Sequence, residues 1–461
     1  MEDIVKKYRC NHNCDDDDDE KDPQRNRSVW LDLELQLPLG FQLEKAVCSH
    51  GLFMMPPNSW DPLSTTFTRP LRLQLHHHHP SSSSSFLVSV SQRVSSLSVR
   101  VHRTRSLYLE QQHALLAQVS RMLRLSEAEE KAVTEFSNMS GCGCGADRSF
   151  CGRVFRSPTL WEDMVKCILL CNCKWSRTLS MSQALCELQL ELQNGPPCTV
   201  AVSSNPIGET EGFIPNTPAA KVPGRKGSVS SKGSFHKEKL ELEGNLEMDN
   251  VLASSCQSCQ TKEDLGSKDS FQQFPNGEEY FNHVGNFPSP YELANLDKAF
   301  LAKRCKLGYR ASRIIKLAQA VVEGKIQLGQ LEELSKDASL SSYEQLEDQL
   351  KQIEGFGPFT VANVLMCMGY YHVIPTDSET IRHLKQVHSS KSTSRTIQRD
   401  VEKIYGKYKP YQFLAYWSEI WDFYERRFGK MNEMHHSDYK LMTANNMKSA
   451  DKGTSKRKKP S

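Results

Sequence analysis

Apolar and polar residues alternate in four short stretches near the start of the chain. In "WLDLELQL" the leucines Leu31, Leu33, Leu35 and Leu37 fall on one side of an extended strand, with polar residues between them and Trp30 set apart. "RPLRLQL", "SFLVSVS" and "LSVRV" carry the same period of two. Successive side chains of a strand point to opposite faces, so these runs predict a small antiparallel sheet. Between two of them lies "HHHHPSSSSS", His76 to Ser85; one residue repeated beside polyserine predicts a loop rather than a metal site. The period then changes. From Gln111 to Leu125, apolar Leu115, Leu116, Val119, Met122 and Leu123 recur at helical spacing. Ser126 and Glu129 stand in capping-box spacing for the next helix. "SPTLWEDMVKCILLCNC" opens near Pro158 and aligns Trp161, Val165, Ile168 and Leu169, which predicts a buried helix.

From Pro196 to Ser270 the periodicity stops; this segment has no Trp or Tyr and is rich in Ser, Gly, Pro and Lys. It resumes at Phe271, through "SPYELANL", "LGYRASRIIKLAQAVVEGKI" and "SSYEQLEDQLKQI". The last strong helix, "YQFLAYWSEIWDFYERRF", sets Phe413, Trp417, Ile420 and Tyr424 in one stripe with Trp421 and Phe428 beside it, a pattern that reads first as core. The fold class expected is α+β, mainly α. A small N-terminal antiparallel sheet (28–110) precedes a helical body in two parts, 111–195 and 271–430. Residues 1–27 read as an acidic disordered tail, 196–270 as a disordered insert and 431–461 as a basic disordered tail.

Charge sharpens this picture. Net charge over the 461 residues is only +3, but "DDDDDE" stands at one end and "SKRKKPS" at the other. Lys298 to Lys325 holds eight Lys or Arg against one acid, Glu323. A basic stripe interleaved with an apolar helical face suits a polyanion better than a membrane. No apolar run nears the roughly 20 residues needed to span a bilayer. The acidic start argues against a secretory or transit peptide, and "KRKK" (Lys456 to Lys459) reads as a nuclear import signal or a solvated end. The fifteen cysteines are scattered, many in apolar helical patterns, as expected of reduced thiols. "CQSC" (Cys256 to Cys259) lacks a well-spaced second pair, and "CGC" (Cys142 to Cys144) with Cys151 fits no common zinc module, so no metal site is expected.

Two stretches carry candidate chemistry. In "IEGFGPFTVANVL", Gly355 and Gly357 flank Phe356, and Pro358 opens a helix. A turn without side chains leaves backbone N–H groups accessible at a helix start, where the dipole favours an anion. Close packing of two helices explains the glycines equally well. In "IPTDSETIR", Thr376 and Glu379 have capping-box spacing, which makes Asp377 an acid in a first helical turn.

Taken as a pair, these stretches resemble the signature of the helix-hairpin-helix (HhH-GPD) DNA glycosylase superfamily, closest to its alkylpurine and 8-oxoguanine branches. "SPTLWEDMVKCILLCNCKWSRTLSMSQAL" and the "FPSPYELANL" to "VVEGKI" segment are similar to its body helices, and the alternating region to its small sheet. The resemblance implies an enzyme that removes a damaged base, a purine on this reading, in base excision repair. It implies double-stranded DNA as partner, with the target base flipped out of the stack, and a monomeric nuclear protein. Gly355, Phe356, Gly357 and Thr360 correspond to the phosphate-gripping hairpin, where K+ or Na+ is held by turn carbonyls in family members. Asp377 corresponds to the catalytic carboxylate. Asn172, Arg177 and Arg310 match the group that holds the orphaned base in 8-oxoguanine glycosylases, and Tyr309 the wedge beside it. Phe359 and Trp417 are the base-pocket candidates.

The chain departs from the family at two points. Members that also cut the strand carry a lysine two residues after the second glycine; here that residue is Phe359, which implies hydrolysis without lyase chemistry. Others hold an iron–sulfur cluster on four cysteines after the aspartate. The last cysteine here is Cys367, so no cluster is implied. The alternatives are a different lesion, or a DNA-binding protein that has lost catalysis.

Overall fold

Leucine alternation becomes strand β1 (Trp30–Gln36) in the computed structural model, with Leu31, Leu33 and Leu35 buried and the ends exposed. The structure describes residues 30–73, 84–139, 150–194, 281, 283–443 and 446. Strands β2 (Ser59–Asp61), β3 (Thr66–Leu73), β4 (Ser84–Gln92) and β5 (Ser96–His102) complete a five-stranded antiparallel sheet in the order β1-β5-β4-β3-β2. The first strand pairs with the last, Leu33 opposite Val99, so the inward residues of both share one face. The short β2, opposite Phe67, has no alternation of its own to betray it. His76 to His79 lie outside the described residues, as do Cys142 to Cys144 and Cys256 to Cys259.

The rest is helical, so the described residues form a mainly α fold with one antiparallel sheet. In chain order the helices are α1 (Leu43–Val47), α2 (Leu109–Leu123), α3 (Glu127–Met139), α4 (Leu160–Leu170), α5 (Trp175–Asn194), α6 (Pro290–Leu293) and α7 (Lys298–Arg304). There follow α8 (Arg310–Val322), α9 (Leu328–Ser335), α10 (Leu340–Lys351), α11 (Pro358–Met368), α12 (Ser378–Val387), α13 (Ile397–Tyr405) and α14 (Gln412–Phe428). Ser126 and Glu129 exchange hydrogen bonds ahead of α3, as their spacing predicts.

Helix α4 is buried on nearly every side, including its polar residues. Glu162 on α4 accepts both Arg69 from β3, at 2.9 Å, and Lys166 one turn on, at 2.7 Å. This triad ties sheet to helical body with all three side chains out of water. The two guanidinium and ammonium charges hold the Glu162 carboxyl down at about 2 against the opposing cost of burial.

The chain divides into two units, Met1–Pro197 with Phe274–Ser461, and Cys198–Gln273, the second lying outside the described residues. The packed body continues past residue 430, where the expected basic tail would begin. Met431 and Tyr439 are buried, and the Trp60 indole donates to the Asn432 carbonyl at 2.8 Å. Met431, Met434, Tyr439 and Met442 anchor this segment against the core. No helix among the described residues is long and apolar enough to cross a membrane.

Candidate functional site

Helix α10 ends at Lys351, the chain turns tightly, and α11 begins at Pro358. The turn closes on itself by Phe356 N–H donating to the Ile353 carbonyl at 3.0 Å. The two glycines serve different needs. Gly355 has φ +89°, and a Cβ there would lie 2.5 Å from Cδ of Arg313. Gly357 has ordinary extended backbone, φ −83°, with nothing within 4 Å of where a Cβ would stand. It is the N-cap of α11 and brings no side chain to cap it. The N–H groups of Phe359 and Thr360 therefore begin a helix with no intrahelical acceptor, beside an exposed glycine.

Phe356 itself is buried, so only its backbone belongs to the turn surface. Thr360 is buried too, its hydroxyl 3.0 Å from Sγ of Cys171 at the end of α4. Phe359 is half-buried. The far end of α11 is pinned by two cations, Arg124 buried and Arg156 half-buried. Arg124 donates to the Met366 carbonyl at 3.1 Å and Arg156 to the Cys367 carbonyl at 2.9 Å, with Glu129 between them. Cations at a helix C-terminus are favourable, so α11 is held from behind while its N-terminus is left open. Nothing in the local spacing of Arg124 or Arg156 signals this, because their partners lie more than 200 positions away.

A second group of candidates meets beside the turn. Asn172, at φ +46°, makes the bend after α4, a conformation that asparagine tolerates well. Arg310 at the start of α8 is 2% exposed, and its guanidinium donates to the Cys171 and Asn172 carbonyls. It braces that bend from inside. Arg177 is exposed and donates to the Lys306 carbonyl at 3.2 Å. Tyr309 stands out at 47% exposure, with the Arg313 guanidinium stacked 4.6 Å from its ring. Because Arg313 also lies against Gly355, the Tyr309 loop and the glycine turn are neighbours. Sequence spacing, 46 residues, hides that contact.

Asp377 is the N-cap of α12. Its Oδ1 accepts the Thr380 N–H at 2.9 Å and the Thr380 hydroxyl at 3.1 Å, and its own N–H donates to Thr380 Oγ1 at 3.2 Å. This corrects the expected box between Thr376 and Glu379. The cap is one residue later, and Glu379 turns instead to Arg382 and to the Tyr424 hydroxyl. An arginine one turn along offers a carboxylate more than a backbone N–H can. Both Thr380 bonds fall on Oδ1 of Asp377, and the Glu379 N–H adds a weaker backbone interaction with the same carboxyl. The residue is exposed at one edge, yet burial of the carboxyl raises its pKa from the ordinary aspartate value, with the Glu379 charge adding to the rise and the hydrogen bonds from Thr380 and the Glu379 N–H opposing it.

Behind α12, the Trp417 indole donates to the Ser49 carbonyl at 2.8 Å and stacks on Phe413, centroids 5.7 Å apart. His50 closes on it at 4.5 Å, pushed down to about 3 by burial and by Arg124 and therefore neutral. Trp417 is thus half-buried in an aromatic column with one edge open.

The sequence missed one cluster. His383 and His388 both place Nε2 on Oε2 of Glu419, at 3.3 and 2.7 Å, and the Tyr405 hydroxyl donates to the same oxygen at 2.6 Å. Two imidazoles and a carboxylate are a zinc set by type. A metal-bound imidazole normally donates through its other nitrogen, however, and Nδ1 of buried His383 has no hydrogen-bond partner among the described residues. Three donors on one carboxylate account for the cluster without an ion, and they hold the Glu419 carboxyl down at about 2.

No protein-family model matches the chain, and no curated protein matches it. Solved structures do. A complex of MBOgg1 with a low-affinity DNA ligand is 17% identical, covers 90% of this chain and 99% of its own, and has a TM-score of 0.47. The apo 8-oxoguanine glycosylase/lyase of Clostridium acetobutylicum is 12% identical, over 84% and 96%, with a TM-score of 0.45. The 3-methyladenine DNA-glycosylase of Archaeoglobus fulgidus is 12% identical, over 86% and 98%, at 0.49. At such identities and scores these neighbours lend no role to any residue here.

Proposed function

We propose that the chain is a monofunctional DNA N-glycosylase of the helix-hairpin-helix superfamily, hydrolysing the bond between deoxyribose and a damaged purine in base excision repair. The observation that carries this reading is that α11 starts open and uncapped while the next helix, α12, starts on the Asp377 carboxylate, held through Oδ1 by Thr380. Phosphate would take the N–H groups beyond Gly357, with K+ or Na+ on the turn carbonyls neutralising the strand. Tyr309 would fill the gap left by the flipped nucleotide. Arg177 and Asn172 are the exposed groups suited to the opposite strand, with Arg310 holding their bend in place.

The flipped base would enter beside Phe359 and the open edge of Trp417. Cleavage of the glycosidic bond builds positive charge on the sugar. Oδ2 of Asp377, the oxygen that Thr380 does not hold, would stabilise that charge and orient the attacking water. A carboxyl with a raised pKa accepts a proton from that water more readily than an ordinary one. Phe359 cannot form a Schiff base, so no strand cleavage is proposed. The protein would act as a monomer in the nucleus, and beyond that monovalent cation no cofactor, iron–sulfur cluster included, is invoked.

Asp377→Asn tests the reading. Single-turnover base release from duplexes with alkylated, deaminated or oxidised purines should fall by orders of magnitude while duplex affinity holds or rises. Equal measurable rates in the two proteins would remove Asp377 from the catalytic role, and no release from either on any lesion would leave a DNA-binding protein without catalysis.

A further inference from the structure

Thr380 carries one hydroxyl proton and touches three polar atoms with Oγ1: the Asp377 N–H, Oδ1 of Asp377 and the hydroxyl of Tyr416 at 2.8 Å. The first can only donate. An ionised carboxylate can only accept, so the Thr380 proton goes to Oδ1. Tyr416 must then donate to Thr380. The order is fixed: Tyr416 O–H to Thr380 O–H to the Asp377 carboxylate. If Asp377 takes up a proton on Oδ1, the order reverses and Tyr416 becomes the acceptor.

Tyr416 is well placed to hold this direction. It is buried on α14, and burial, with the nearby Asp377 charge second, keeps its phenol protonated. The His383 ring meets the Tyr416 ring edge-on at 5.6 Å and the Tyr405 ring does so at 5.6 Å from the other helix, and both tyrosine neighbours converge on Glu419. The phenol thus has little freedom to turn away.

We propose that Tyr416, through Thr380, is a positioning residue for the Asp377 carboxylate, keeping it ionised and presenting Oδ2 to the deoxyribose. The proposal rests on the reading of Asp377 as the catalytic carboxylate. The chain polarises bond by bond, so a donor behind Thr380 makes its hydroxyl a better donor to the carboxylate. The other charges around Asp377 are Glu379, drawn off by Arg382 and Tyr424, and these would be unchanged when the Tyr416 hydroxyl is removed.

The test compares Tyr416→Phe, Thr380→Val and Thr380→Ser in the full chain by two readouts. The first is the Asp377 carboxyl carbon followed through a pH titration by NMR, which needs no substrate. Its pKa should rise by about half a unit in Tyr416→Phe, further in Thr380→Val, and return to the original value in Thr380→Ser. The second is single-turnover base release, expected to slow about tenfold in Tyr416→Phe with duplex affinity unchanged, and with the acid limb of the profile moved to higher pH. An Asp377 pKa that stays put in both Tyr416→Phe and Thr380→Val overturns the relay, whatever the activity. A pKa that moves in a protein with no base release supports the relay and discards the enzyme reading.

Discussion

The two glycines of the turn should respond very differently to a single methyl group. At Gly355, φ is +89°, a left-handed conformation that costs an L-residue roughly 1–2 kcal/mol. The new Cβ would also stand 2.5 Å from Cδ and 2.8 Å from Cγ of Arg313, both mid-chain methylenes, so the whole side chain must move. Moving it gives up the stacking on Tyr309, another ~0.5–1 kcal/mol at a partly exposed site. Gly355→Ala should therefore destabilise the protein by ~1.5–3 kcal/mol and loosen Tyr309. Gly357→Ala meets no atom within 4 Å and needs no unusual φ, so only a poorer N-cap is lost, under about 1 kcal/mol. Urea unfolding with a shared m-value reads both. The duplex Kd reads the second effect, because the Gly357→Ala methyl would stand where a phosphate approaches. That variant should bind all duplex sequences more weakly by the same factor. Equal stability of the two variants, or the greater loss at Gly357, would refute the assignment of Gly355 to backbone conformation and Gly357 to ligand approach.

Other outcomes follow from the same geometry. Glu162→Gln should cost ~3–5 kcal/mol at neutral pH, since Arg69 and Lys166 are left buried and short of a counter-charge. The Glu162 carboxyl titrates at about 2 when folded and near 4.5 when not, so its contribution is complete above about 4.5 and lost as pH falls toward 2. That slope, roughly 3 kcal/mol in all, should be absent from acid unfolding of the variant. Arg310→Met should lower the melting temperature, because the Cys171 and Asn172 carbonyls lose their donor; lower duplex affinity at unchanged stability would show instead that Arg310 reaches DNA. Borohydride with abasic duplex should trap no covalent adduct, and a trapped species would mean that an amine other than one at position 359 attacks the sugar.

Strand alternation in "WLDLELQL", the helical stripes, the cap of α3 and the glycine turn were all legible in the chain, because each depends on residues within about four positions. The cap at Asp377 was misplaced by one residue, since Glu379 had a partner, Arg382, that capping spacing does not consider. What tertiary structure alone decided lies at long sequence distance. Arg124 and Arg156 reach the end of α11 across more than 200 residues, and Tyr416 reaches Thr380 across 36. Arg310 carries the same residue type that an exposed DNA contact would, and only packing put it beneath the Asn172 bend. Local backbone preference writes periodicity and caps into neighbouring residues. Which polar groups meet inside the core depends on how the helices stack, and no local pattern records that.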